Sequence, residues 1–423
     1  MKVKIYPSQC SGEINIPPSK SMAHRAIICA SLSNGKSIID NIAYSDDILA
    51  TIQGMKSLGA KIKKNNNMLE IEGISDFSQI NNLTIDCNES GSTLRFFIPI
   101  FSLTNKKITF KGKNRLLQRP QKIYEKIFKE QNFYYFQDDQ KIEIYGSIKA
   151  GTYTIDGNIS SQFISGLLFT LPLLSKDSTI KINPPFESKS YIDLTLDMLK
   201  TFGIEAKFID DLTIFIPGNQ KYLPTNYTVE GDFSQLAFFA VLGSLNNSIT
   251  CKGLKLDSKQ GDKEIIEIIK KCNLKVEEIE NGYRFFKGIP QNTNINLENC
   301  PDLGPILTVL SACGNGDFKI YNAQRLRLKE SDRIEAMEME LKKLGVTISS
   351  DNNNIYITGD DNYNSCNEVF GHKDHRIVMS LAIMATLLDK PLTIEGAEAI
   401  NKSYPSFFND LSSLGIKMEI LSN

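Results

Sequence analysis

Six helix pairs recur along this chain, and the second helix of every pair runs out at a glycine or an asparagine. The closing residues are Gly59, Asn132, Gly203, Asn273, Gly345 and Gly415, about seventy residues apart. Both residue types tolerate the left-handed backbone that ends a helix. The first helices, such as QFISGLLFTLPLL and RIVMSLAIMATLL, are apolar nearly all round, as buried helices must be. The second helices, such as KIYEKIFKEQN and KEIIEIIKKCN, are amphipathic. Around each pair lie short alternating runs, seen best between Tyr153 and Pro217. The repeat is therefore strand–helix–strand–helix–strand–strand, and the fold class is α/β. One βαβαββ unit cannot bury both its faces. Three together make a lobe of roughly 200 residues, an ordinary domain size. Two such lobes account for all 423 residues, with a division near Pro224–Tyr227, where Leu-Pro-Thr-Asn interrupts regular structure.

Bulk properties exclude several partners. Hydrophobic residues make up 41% and charged residues 23%, with a net charge of -1. A duplex-binding protein carries a basic excess, so nucleic acid is not expected. No stretch is long and apolar enough to span a membrane. The eight cysteines are scattered, without a C-x-x-C pair or a Cys/His cluster. That predicts reduced thiols in a cytoplasmic protein, and no metal. No phosphate loop and no dinucleotide glycine motif is present, so no nucleotide cofactor is expected.

In each repeat a first strand runs straight into the buried helix. The junctions are Lys20-Ser21, Ser90-Gly91-Ser92-Thr93, Ser160-Ser161-Gln162, Asp232-Phe233-Ser234-Gln235, Pro301-Asp302-Leu303-Gly304 and Asp374-His375-Arg376. Hydroxyl and acidic residues there predict N-caps, and helix N-termini favour anions. Around the second helices stand Arg119-Pro120, Lys329-Glu330-Ser331-Asp332-Arg333 and Lys402-Ser403-Tyr404-Pro405. Singly, such charges are surface ion pairs. Recurring at matching corners of the repeats, they predict a site between the lobes for two phosphates and a carboxylate, which Arg binds with its planar fork.

The segments PPSKSMAHRA (17–26), ESGSTLRF (89–96), LLQRP (116–120), ISSQF (159–163), SYIDLT (190–195), LKESDRIEAM (328–337), KDHRIVMS (373–380) and NKSYPSFF (401–408) carry a family resemblance. Together they resemble the 3-phosphoshikimate 1-carboxyvinyltransferase family, in order, from about Ile14 to Leu414. The resemblance implies the enolpyruvyl transferase fold, an inverse α/β barrel. Its two lobes, of three βαβαββ repeats each, would hold the active site in the interlobe cleft. The first strand would belong to the C-terminal lobe, made of residues 1–19 and 228–423; the N-terminal lobe would be 20–227. The implied reaction is part of aromatic amino acid biosynthesis. The enolpyruvyl group of phosphoenolpyruvate goes to the 5-hydroxyl of shikimate 3-phosphate by addition and elimination, in a monomer that uses no cofactor.

By match to the family, shikimate 3-phosphate is expected at Lys20, Ser21, Arg25, Ser160, Ser161, Gln162, Ser188, Tyr191, Asp302 and Lys329. Phosphoenolpyruvate is expected at Lys20, Gly91, Arg119, Gln162, Arg333, Arg376 and Lys402. Asp302 would take the hydroxyl proton, Glu330 would carry the proton at C3, and Lys20 would assist both substrates. His375 would support the site by hydrogen bonding. On local grounds alone, Asp302 reads equally as a helix N-cap and Glu330 as a first-turn carboxylate. The chain departs from the family pattern at Pro18, Glu89 and Ser92. It also has a long stretch, Asn322–Lys329, that leaves Arg325 and Arg327 without assigned partners. The sister transferase acting on UDP-N-acetylglucosamine usually has a cysteine in the loop that here reads GKNRLLQRP, and Lys-Asn in place of Lys20-Ser21. Both differences favour the shikimate substrate. A repeat-built clamp on nucleic acid would need a basic inner surface, and an RNA 3′-end cyclase a nucleotide-accepting histidine in an appropriate motif.

Overall fold

The positions that close the second helices all adopt the left-handed backbone, with φ of 123° at Gly59, 59° at Asn132, 78° at Gly203, 59° at Asn273, 86° at Gly345 and 93° at Gly415. At each, the next residue's N–H reaches back five residues into the helix, as from Phe133 to the Phe128 carbonyl and from Val346 to the Leu341 carbonyl. This closure satisfies carbonyls that a helix end otherwise leaves unpaired.

The computed structural model describes residues 1–74, 76–78, 80, 82–360, 363–364 and 366–421. Its helices are α1 (Lys20–Leu32), α2 (Asp46–Leu58), α3 (Gly91–Ser102), α4 (Lys122–Glu130), α5 (Ser161–Thr170), α6 (Lys189–Thr201), α7 (Phe233–Leu245), α8 (Glu264–Lys271), α9 (Gly304–Ala312), α10 (Arg333–Lys343), α11 (His375–Ala385) and α12 (Phe407–Ser413). The odd-numbered six are buried over nearly their whole surface.

Every repeat contributes to a four-stranded sheet with one strand order. In the third, Thr152–Asp156 pairs in parallel with Ser178–Asn183. That strand pairs antiparallel with Thr213–Ile216, and Lys207–Asp210 forms the far edge. The parallel pair is joined through α5, since parallel neighbours need a long crossover. Alternation buries Tyr153 and Ile155 from one strand and Ile180 and Ile182 from the next.

The chain divides into two units, Met1–Pro17 with Glu230–Asn423, and Pro18–Val229. The sequence reading set these divisions at Ser19 and Thr228. Ser19 caps α1 by accepting from the Met22 N–H, and Tyr227–Thr228 pairs with Lys36–Asp40, which keeps both on the Pro18–Val229 side. Each unit has its own hydrophobic core.

First strands are exchanged at the two connections. Glu13–Asn15 leads to α1 of the Pro18–Val229 unit, yet it pairs with Ile249–Lys252 in the sheet of the unit made of Met1–Pro17 and Glu230–Asn423. Tyr227–Thr228 precedes α7 but pairs with Lys36–Asp40, beside α1. Lys2–Ile5 completes the sixth sheet between Leu392–Glu395 and Met418–Leu421.

Candidate active site

In the unit of Pro18–Val229, the predicted residues gather at the N-termini of α1, α3 and α5. The caps are Ser19, Ser90 and Ser160, whose hydroxyls accept from Met22, Thr93 and Gln162. Lys20 opens α1, and its Nζ lies 2.7 Å from Oδ2 of buried Asp47 on α2. Arg25 ties α1 to α6. Its Nε donates to Thr195 Oγ1 at 2.9 Å, Nη1 to the Ser21 carbonyl at 2.7 Å and Nη2 to the Tyr191 carbonyl at 3.0 Å. Burial lowers its pKa to about 10. Ser188 precedes α6 with φ of 56°, a left-handed turn that sets Tyr191 in the first turn of α6.

Gly91 is the first residue of α3. A Cβ there would lie 2.8 Å from Nη1 of Arg119 and 3.4 Å from Oε1 of Gln162, so glycine is what lets both side chains approach this helix end. Gln162 Nε2 donates to Ser92 Oγ at 3.0 Å, while its Oε1 accepts from Arg95 at 2.7 Å. Arg95 also reaches the Pro120 carbonyl at 3.3 Å and stacks over Phe163. Sequence reasoning missed Arg95 and Asp47. A lone arginine inside an otherwise apolar buried helix was the available signal for the first. Asp47 reads as a first-turn helix acid.

In the unit of Met1–Pro17 and Glu230–Asn423, one network joins the remaining predicted residues. Lys329 Nζ is 3.1 Å from Asp302 Oδ1, and Arg333 Nη1 is 3.0 Å from the same oxygen. Arg376 Nη2 takes the other oxygen at 3.1 Å. Arg333 also donates to Glu330 at 2.8 Å and, through Nε, to Asp374 at 2.8 Å. Lys402 Nζ is 3.1 Å from Glu330 Oε1. Asp374, wholly buried, caps α11 through the Arg376 N–H at 2.9 Å and accepts from Ser331 at 3.1 Å. It was read only as part of a helix junction, but it is the anchor of Arg333.

Two local readings are corrected. Asp302 is not an N-cap: it lies in the 3-10 turn Pro301–Leu303 ahead of α9, and its carboxylate meets three cations. Glu330 is not in the first turn of α10, which is capped by Asp332 and begins at Arg333. Arg327, left without an assigned partner, donates to Asp332 at 2.9 Å and to the Asp351 carbonyl at 2.7 Å. Arg325 Nη2 lies 3.4 Å from the Glu298 carbonyl. His375 is buried, with Nδ1 3.8 Å from Asp374 Oδ1.

Burial by itself would raise the Asp302 pKa. Arg376, Lys329 and Arg333 outweigh it and hold the carboxyl well below its ordinary range. Burial opposes the charge on Arg333, but Asp374, Glu330 and Asp302 overcome it and raise its pKa. The arrangement thus keeps an ionised carboxylate among three cations, Lys329, Arg333 and Arg376, with Lys402 on the neighbouring Glu330. It can take up a proton and hold anions.

Comparison with known proteins identifies the family. The family model for EPSP synthase (3-phosphoshikimate 1-carboxyvinyltransferase) matches residues 5–411. A 3-phosphoshikimate 1-carboxyvinyltransferase of Clostridium perfringens is 48% identical over 417 residues, covering 98% of each chain. One from Clostridioides difficile is 45% identical over 431 residues, covering 99% of this chain and 98% of that one. Among solved structures, an EPSP synthase from Acinetobacter baumannii superposes with a TM-score of 0.81 at 24% identity, covering 100% of both chains. The enolpyruvyl transferase NikO from Streptomyces tendae gives 0.80 at 13% identity, over 99% of this chain and 98% of that one. These two likenesses establish the enolpyruvyl transferase fold. The family match and the relatives establish more: this chain belongs to the EPSP synthase (3-phosphoshikimate 1-carboxyvinyltransferase) family.

Proposed function

We propose that this protein transfers the enolpyruvyl group of phosphoenolpyruvate to the 5-hydroxyl of shikimate 3-phosphate and releases phosphate, a step of aromatic amino acid biosynthesis. The observation that carries the reading is the Asp302 carboxylate, engaged by Lys329, Arg333 and Arg376 within 3.1 Å. Both substrates are multiply charged anions, the groups that arginine and lysine side chains suit. Lys20, Ser21, Arg25, Ser160, Ser161, Gln162, Ser188, Tyr191 and Lys329 hold shikimate 3-phosphate. Gly91, Arg119, Arg333, Arg376 and Lys402 hold phosphoenolpyruvate, with Lys20 and Gln162 reaching both.

The 5-hydroxyl oxygen bonds to C2 of phosphoenolpyruvate as its proton passes to Asp302 and C3 gains a proton from Glu330. The C2–O bond to phosphate then breaks, the proton held by Asp302 is given up to the departing phosphate, C3 returns its proton to Glu330, and the C2–C3 double bond re-forms. A base works best with a pKa near the working pH. Asp302 is held low while its cations have no other anion to face. Incoming phosphate and carboxylate groups share those cations and raise its basicity when the hydroxyl arrives. Lys402, 3.1 Å from Glu330, steadies the proton carrier.

The reading includes a monomer in the cytoplasm that needs no cofactor. Its compartment is supported by eight cysteines that are all free thiols, six of them buried. The test is phosphate release from phosphoenolpyruvate with shikimate 3-phosphate or with UDP-N-acetylglucosamine as acceptor. Turnover with the sugar nucleotide alone would reject the substrate, and turnover with neither would reject the activity.

A further inference from the structure

Behind Asp302 stands a carboxyl group to which the proposed reaction gives no part. Asp262 lies in the 3-10 turn Gly261–Lys263 before α8 and is 2% exposed. Its Oδ2 meets the Ser234 hydroxyl in the first turn of α7. Among the described residues its Oδ1 has no hydrogen-bond partner, although it is fully buried. The loop that carries it is fixed to α7. Gln260 Oε1 accepts from the Phe233 N–H at 3.1 Å, and Gln260 Nε2 donates to Glu230 at 2.7 Å and to the Gly231 carbonyl at 2.8 Å.

Each neighbouring element presents a polar or charged group to Asp262. From the cap and first turn of α7 come Asp232 and Ser234, from the turn before α9 Asp302, and from α11 Arg376. The Cys300 thiol also lies within its influence. In its own segment follow Lys263, whose Nζ turns to the Leu256 carbonyl, and Glu264, paired with Lys271 at 3.2 Å. The cation that reaches it among the described residues, Arg376, is already bound to Asp302 at the carbonyl and at the carboxylate, both 3.1 Å. An ionised carboxylate buried with one hydroxyl and no cation of its own is costly, and a neutral acid is far less so.

We propose that Asp262 is a positioning residue that keeps its proton while the substrate anions bind, leaving Arg376 committed to Asp302 and to the incoming anion. Arg376 already serves Asp302 at its carboxylate. Ionising Asp262 would give Arg376 a second carboxylate to face. Burial, then the Asp302 charge, push the Asp262 pKa up to about 7, so the switch falls at working pH.

This inference rests on the proposed reaction, and it is tested with the full chain. KM for phosphoenolpyruvate is measured from about pH 6 to about pH 9 for the wild type and for Asp262→Asn on the same substrates, so that substrate ionisation is common to both. The wild-type KM should rise by about fivefold more than that of the variant across this range, and kcat of the variant should stay within about threefold. Parallel KM profiles overturn the proposal, as does a natively folded variant whose kcat falls about a hundredfold. A second measurement needs neither turnover nor the variant. In wild-type protein labelled with carbon-13 aspartate, one carboxyl should titrate with a midpoint near about 7. Titration of every aspartate below about pH 5 overturns the proposal. A wild type inactive with both acceptors would sink the functional reading and leave this titration decisive for Asp262.

Discussion

Arg376 grips Asp302 at two points, with Nη1 on the backbone carbonyl and Nη2 on the carboxylate, each at 3.1 Å. The double contact fixes the turn as well as the side chain, so the carboxylate keeps its direction even when its other cations turn to substrate.

Asp302→Asn should therefore fold and bind both substrates, because asparagine keeps the shape and the neighbouring cations remain. Without a base for the hydroxyl proton, kcat should fall by about a hundredfold to ten-thousandfold. Calorimetric titration with shikimate 3-phosphate alongside steady-state kinetics checks both halves. A kcat within threefold of wild type would show that another group takes the proton.

Gly91→Ala tests the approach of Arg119 to α3. The added methyl would sit 2.8 Å from Arg119 Nη1, so the guanidinium must shift. Charge-assisted bonds weaken quickly with misplacement. KM for phosphoenolpyruvate should rise about tenfold, with a smaller change in kcat and in shikimate 3-phosphate binding. Equal losses for both substrates would mean that Gly91 serves only the turn.

His24 makes the Pro18–Val229 unit sensitive to acid. Its Nδ1 lies 2.8 Å from Thr51 Oγ1 in a fully buried setting, and burial lowers its pKa to about 3. The unfolded chain takes up that proton near pH 6.5, while the folded form stays neutral until about 3. The unfolded state thus holds more protons over this window, and stability falls as pH drops through it. The loss should be roughly 2 kcal/mol by about pH 5. Urea unfolding at neutral and acid pH should show a shallower fall for His24→Gln; identical slopes would remove His24 from the account.

Gly54→Ala probes core packing instead of the site. A Cβ on this residue of α2 would lie 2.0 Å from the Phe97 ring on α3. Overpacking of this kind costs about 1–3 kcal/mol, beyond anything alanine gains in helix propensity. The melting temperature should drop with KM unchanged. An unchanged melting temperature would mean that the ring has room to move.

The repeat was legible because its signal is physical at each site. Gly59 and Asn132 close helices in the same way, and both adopt the left-handed backbone that their chemistry permits. The exchange of first strands was beyond the repeat pattern itself. Glu13–Asn15 and Tyr227–Thr228 are too short for their composition to choose a partner, and only the family resemblance pointed to the first of them. In the site, Lys329, Arg333 and Arg376 stood out as cations beside junctions. Asp47, Asp262 and Asp374 did not, because an acid beside a helix start reads first as a cap or a dipole partner. Their importance comes from tertiary partners, Lys20, Ser234 and Arg333, that lie far away in the chain.

The traded strands also impose an order on biosynthesis. Residues Lys2–Ile5 and Glu13–Asn15 leave the ribosome early, but their sheet neighbours, Ile249–Lys252, Leu392–Glu395 and Met418–Leu421, come much later. The first seventeen residues must wait, unpaired, while the Pro18–Val229 unit is made and can fold behind them. Newborn chains therefore depend on keeping these short, edge-like strands out of wrong pairings until the last repeat arrives.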